Sequence, residues 1–249
     1  MSLSPFTLKV ESELKRLASI TPGGEWDPAD YVIGQSKSDL QFFNLNIPTV
    51  RSILKNNQIF PKDRKPHDVY RDIQKMWFES KWFEARTVSL IWLESQSLEF
   101  LISKQTDFIK WAKLIDNWAH SDGLCNFLAR IYDTDSKYLH SVFTEWHTHK
   151  NSWYRRISMV SLFYYSRLRI NQPKFNIAVK YILANIDHPD YYVQKGVGWT
   201  LREMYNVYPK MTLDFLEEYV KDISSIAWTA ATEKLPKNTK NNLMKKRKA

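Results

Sequence analysis

A chain of 249 residues, 43% hydrophobic and with only 6 glycines, can bury a sizeable core, which excludes a disordered protein except at its ends. Its net charge of +9 is uneven: six Lys or Arg and no acid fall in 237–249, seven more bases fill an acid-free window over 146–186, and the remainder stands at about −4. A single cysteine, Cys125, excludes an intrachain disulfide framework and points to a reducing compartment.

The start, MSLSPFTLKVESELKR, lacks the apolar core of a secretory signal, and no apolar run approaches the roughly 20 residues that span a bilayer. A cytoplasmic protein with no membrane partner is expected. Almost every segment then reads as helix. Phe6 to Ile20 carries Leu14, Leu17 and Ala18 at helical spacing, and the breaker TPGGEWDP follows. Asp27 or Pro28 opens a short helix, and Ile47-Pro48 begins another with Val50, Ile53 and Leu54 on one side.

Beyond the loop PKDRKP the punctuation becomes regular. Helices are predicted over His67 to Glu79, Trp82 to Glu94, Leu98 to Ile115, Trp118 to Tyr132, Tyr138 to Thr148, Asn151 to Ile170, Phe175 to Ile186, Tyr191 to Tyr208 and Leu213 to Lys221. Only Ser80 and Lys81 separate the first two, a gap that forces antiparallel neighbours. No Asn-Gly hairpin or sustained alternation signals strands. Successive amphipathic helices, none able to bury its face alone, predict an all-α fold: an α-solenoid of HEAT-like antiparallel helical pairs with a concave basic face. The tryptophan spacings Trp118 to Trp153 and Trp153 to Trp199 bracket such a repeat; a non-repetitive helical bundle is the alternative. One domain is expected over 1–236, with a disordered basic tail over 237–249.

Three stretches could carry chemistry. In WAHSDG, Trp118 and Asp122 are four apart and share a helical face, so indole and carboxylate could together hold a cation. The competing reading makes Ser121 or Asp122 a helix cap and Trp118 core. In WYRRISMVS, Arg156 lies along the side bearing Trp153, where it could contact a phosphate or pair with a neighbouring helix. In DHPDYYVQKGVGWTLREMY, Asp190 is an N-cap, and Gly196 and Gly198 flank Trp199. Each helical glycine costs roughly 1 kcal/mol against alanine, so a close approach of another helix or of a DNA backbone is implied. Arg202-Glu203 reads as an ion pair between helices. His147 and His149 lack partners for a metal site and read as loop. No phosphate-binding glycine loop or nucleophile elbow is present.

These three stretches, in order and at similar separations, resemble the motifs of the HEAT-like-repeat DNA alkylation repair proteins, the AlkD family of alkylpurine DNA glycosylases. Together they anchor roughly 77–208, and FFNLNIPTVRSILK matches more faintly. The resemblance implies base excision repair: a monofunctional glycosylase that hydrolyses the N-glycosidic bond of N3- or N7-alkylated purines in double-stranded DNA. Position by position it implies Asp122 as the catalytic carboxylate, Trp118 and Trp199 as contacts to the deoxyribose, and Arg156 as a phosphate contact. Lys150, Trp153, Arg155 and Lys195 become further candidate DNA contacts. It implies no cofactor, no metal and a monomer, with the base not drawn into a pocket as other base-flipping glycosylases do. Ala119 and His120 depart from the family, whose best-known glycosylases carry an acid directly after the tryptophan. Some branches bind branched or distorted DNA with little excision, and a non-catalytic binder on this fold is the second reading.

Overall fold

The computed structural model describes residues 2–21 and 28–248, so the TPGGEWDP breaker lies, over 22–27, outside the described residues. Among those residues there are fifteen α-helices and no strand, only an isolated bridge from Gln41 to Trp82. The chain divides into two compact units, Met1–Gly123 and Leu124–Ala249. Among the described residues no helix is long and apolar enough to cross a membrane.

The first unit holds α1 (Pro5–Ile20), α2 (Pro28–Ile33), α3 (Ile47–Ser52), α4 (Pro66–Glu79), α5 (Phe83–Glu94), α6 (Leu98–Ser103), α7 (Gln105–Trp111) and the first turns of α8 (Trp118–Thr134). Local chemistry sets the starts: Ser4, Asn46 and Ser97 accept amides as N-caps, and Pro5, Pro48 and Pro66 occupy first-turn positions where the lost N–H is not missed. Helix α5 is the core element. It is buried from Phe83 to Leu93 and packs against α1, α3 and α4. Trp77 and Trp111 stack at 4.7 Å beside it, the Trp77 indole donating to the Trp111 carbonyl at 3.3 Å. The faintly matching FFNLN segment is tied to the start of α5 by Glu84, whose buried carboxylate accepts the amides of Phe43 (3.0 Å) and Leu45 (3.2 Å). Burial pushes this carboxyl up, and those amide bonds oppose the shift.

The second unit holds the rest of α8, then α9 (Ser136–Trp146), α10 (Ser152–Phe163), α11 (Phe175–Leu183), α12 (Tyr191–Val207), α13 (Pro209–Glu218), α14 (Ser225–Ala231) and α15 (Lys237–Lys248). Helix α12 is its hub, packed by α10, α13 and α14. The two glycines explain how. A Cβ on Gly198 would stand 2.8 Å from Ala227 Cα and nearer still to its carbonyl oxygen; one on Gly196 would meet Arg156 Cγ at 3.2 Å. Both approaches are by helices, α14 and α10.

Three elements differ from the sequence-based expectation. The helix predicted from Leu98 to Ile115 breaks at Lys104, whose ammonium sits 5.1 Å over the Tyr70 ring. The helix predicted from Asn151 to Ile170 stops at Phe163, because Tyr165 takes a left-handed conformation (φ 48°) and Arg169 turns back onto the carbonyls of Ser161 and Leu162. The residues expected to form a disordered tail are helical: Leu243 is buried, Lys246 pairs with Glu217, and Arg247 donates to the Val220 carbonyl while lying 4.9 Å over the Trp228 ring.

Candidate active site

Helix α8 begins with Trp118 because Asn117 caps it. The Asn117 side-chain oxygen accepts the His120 amide at 2.9 Å, and its backbone carbonyl accepts the Ser121 amide. Capping is therefore done before the chain reaches Asp122, and the reading of Ser121 or Asp122 as the cap is overturned. Trp118 and Asp122 stand one turn apart, four positions along the helix, and both are partly buried. The Trp118 indole N–H donates to the Tyr31 carbonyl at 3.1 Å, and its ring meets the Tyr31 ring edge-on at 5.2 Å.

His120 faces the other way and locks the helix to α5. Its ring stacks on Phe83 at 4.5 Å; Nδ1 lies 3.0 Å from the Asn117 side-chain nitrogen and Nε2 lies 3.2 Å from the Phe83 carbonyl. Those partners assign the tautomer: Nδ1 accepts from the amide and Nε2–H donates to the carbonyl. Full burial, with the Arg86 charge adding to it, lowers this imidazole to about 3. Neutral His120 thus fixes the start of α8 against α5. The signal for the lock was present in the sequence, an asparagine immediately before the helix.

In the second unit Asn151 caps α10 by accepting the Trp153 amide at 2.8 Å, and Trp153 stacks on Tyr192 of α12 at 5.1 Å. The two arginines that follow are turned inward. Arg155 donates to the carbonyls of His149 (2.6 Å) and Thr148 (2.9 Å) and to the Asn185 side-chain oxygen (3.0 Å), closing the ends of α9 and α11. Arg156 is 4% exposed, lies against Gly196, and donates to the Tyr192 carbonyl at 3.1 Å. Read from sequence as DNA contacts, both guanidiniums are engaged by protein carbonyls, the acceptors that a forked donor meets nearest. Lys150 is exposed and Lys195 partly buried.

Asp190 caps α12 as expected, accepting the Val193 amide at 2.9 Å. Trp199, partly buried, stacks on Tyr164 at 5.5 Å, and the Arg202 guanidinium lies 5.6 Å from its ring. Arg202 pairs with its neighbour Glu203 on the same helix at 3.4 Å and, at 2.9 Å, with Glu233 beyond α14, so the pair read between helices from Arg202-Glu203 lies within α12 and the longer-range partner is Glu233. The Tyr164 and Arg202 neighbours of Trp199 were not legible in the sequence. His147 is buried, with Nδ1 2.7 Å from the Thr144 carbonyl and its ring on Tyr181; His149 accepts the Asn151 amide at 3.0 Å. Both histidines are thereby structural parts of the α9–α10 turn.

Residues 28–235 match the model of a family described as DNA alkylation repair enzyme, and the chain belongs to that family. No curated protein sequence matches it. Among solved structures it is similar to a predicted DNA alkylation repair enzyme from Enterococcus faecalis (15% identity, 95% of this chain and 98% of that one, TM-score 0.60). It is also similar to AlkD2 from Streptococcus mutans (16% identity, 97% of both chains, TM-score 0.53). The likeness establishes the fold as an all-α helical repeat.

Proposed function

We propose that the chain is a monofunctional glycosylase that releases N3- or N7-alkylated purines from duplex DNA. The observation that carries this reading is the placing of a partly buried carboxylate and an indole on one helical face, Asp122 one turn after Trp118 at the start of α8. An alkylated purine is already a cation, so it departs neutral when the C1′–N bond breaks and takes the bonding electrons without being protonated. The oxocarbenium-like sugar left behind is stabilised by the Asp122 carboxylate, which also orients the water that adds to C1′ and receives or relays its proton. Trp118 and Trp199 contact the sugar, and their rings favour its charge. Trp153, Lys150 and Lys195 line the DNA, the lysines meeting phosphates, while Arg155 and Arg156 act from beneath by fixing α10.

The test is release of 7-methylguanine or 3-methyladenine from methylated duplex by the full chain. Release supports the reading. Tighter binding to junctions than to intact duplex, with no base released, replaces it with a non-catalytic DNA-structure binder.

A further inference from the structure

The link from α10 to α11 exposes Leu168 (81%) and Ile170 (88%), more than any other large apolar side chains among the described residues, and Tyr165 (58%) beside them. Single exposed apolar residues need no explanation. These are different because the chain is built to hold them out. Between Leu168 and Ile170, Arg169 points the opposite way with its side chain 4% exposed, donating to the Ser161 carbonyl at 3.0 Å and lying 5.7 Å over the Tyr132 ring. Asp133 of α8 accepts the amides of Ile170 (3.0 Å) and Asn171 (2.6 Å). The base is closed by Gln172 donating to the Ser166 carbonyl and by Ser166 donating to Glu203. Tyr165 holds a left-handed backbone that disfavours an L side chain, so the tip is also a strained turn kept in place by its anchors. A loop fixed in this way cannot fold its leucine and isoleucine down onto the surface.

We propose that the 165–170 loop is a wedge that enters the base stack of bound duplex DNA. The argument for this occupant is charge: no acid lies anywhere in 146–186, and Arg167 within the loop and Lys174 shortly after it are exposed. A gap between stacked bases is an apolar slot bordered by phosphates, which an aliphatic tip flanked by cations matches. Tyr164, at the root of the loop, stacks on Trp199, so the wedge would open the step next to the sugar contact proposed above. The inference rests on that reading of duplex binding.

The test uses the full chain and duplexes carrying 2-aminopurine at successive positions around a tetrahydrofuran abasic-site mimic. The unmutated protein is expected to brighten the fluorophore at one step. Leu168→Ser/Ile170→Ser, two changes at largely exposed positions, is expected to lose that rise while keeping the salt dependence of binding. Equal brightening by the variant, or duplex binding with no brightening at any step, overturns the wedge and leaves the glycosylase reading standing. No salt-dependent duplex binding overturns both. Binding to phosphatidylserine vesicles that the same variant abolishes, with DNA fluorescence unchanged, assigns the loop to a lipid surface instead.

Discussion

The starts of α8 and α10 are built alike and used differently. Each is capped by an asparagine and carries a tryptophan within its first turn. In α8 the side chain driven into the core is an uncharged imidazole, His120, and the charged residue of the next turn, Asp122, stays at the partly buried edge. In α10 two guanidiniums go inward, onto carbonyls of α9, α11 and α12 and their flanking turns. A charge in the sequence is therefore not yet a charge at the surface. Of the seven bases in 146–186, Arg155, Arg156 and Arg169 hold the protein together, and Lys150, Arg167, Lys174 and Lys180 remain exposed. A fork of five donors on a planar group caps carbonyls well, whereas an ammonium on a flexible stem stays in water.

The largest expected effect lies between α12 and α14. Gly198→Ala drives a methyl into the backbone of Ala227 and should lower stability by about 3 kcal/mol, read by urea unfolding. Gly196→Ala should stay within about 1 kcal/mol of the unmutated chain, because Arg156 Cγ can yield and alanine regains helix propensity. Acid tests the α8 lock. His120 titrates near 6.5 when unfolded and at about 3 when folded, so its contribution is complete above 6.5 and is lost as pH falls toward 3. The slope is about 1.4 kcal/mol per pH unit over that window, and His120→Gln should flatten it in a pH series of urea titrations. Arg155→Met, which leaves carbonyls of the α9 and α11 ends without a donor, should destabilise by about 2 kcal/mol with the salt slope of duplex binding unchanged. Lys150→Ala should do the reverse, lowering that slope by about 0.9 while stability moves by less than about 0.5 kcal/mol.

Much of the architecture was legible because helix signals are local. Asp190 as a cap and the periodicity of 191–208 predicted α12 to within a residue. The failures were all long-range. Lys104 interrupts a good helical pattern because two rings, Tyr70 and Phe100, offer their faces to its ammonium. Tyr165 ends α10 where propensity would continue it, since Asp133 of α8 anchors the loop that follows from 37 residues away. The lysine-rich end is helical because Leu243 finds a buried site and Arg247 finds Trp228, partners that composition does not reveal. At the site, the Trp118 and Asp122 pairing followed from spacing, whereas the inward turn of Arg155 and Arg156 depended on neighbours that only the fold supplies.

The central claim is that Asp122, on the helical face it shares with Trp118, is the carboxylate that carries the proposed excision. It is tested most directly by the single-turnover rate of 7-methylguanine release from methylated duplex by Asp122→Asn, measured alongside its duplex affinity. The account predicts a fall of about 10²–10³-fold in rate with affinity retained. An unchanged rate would contradict it.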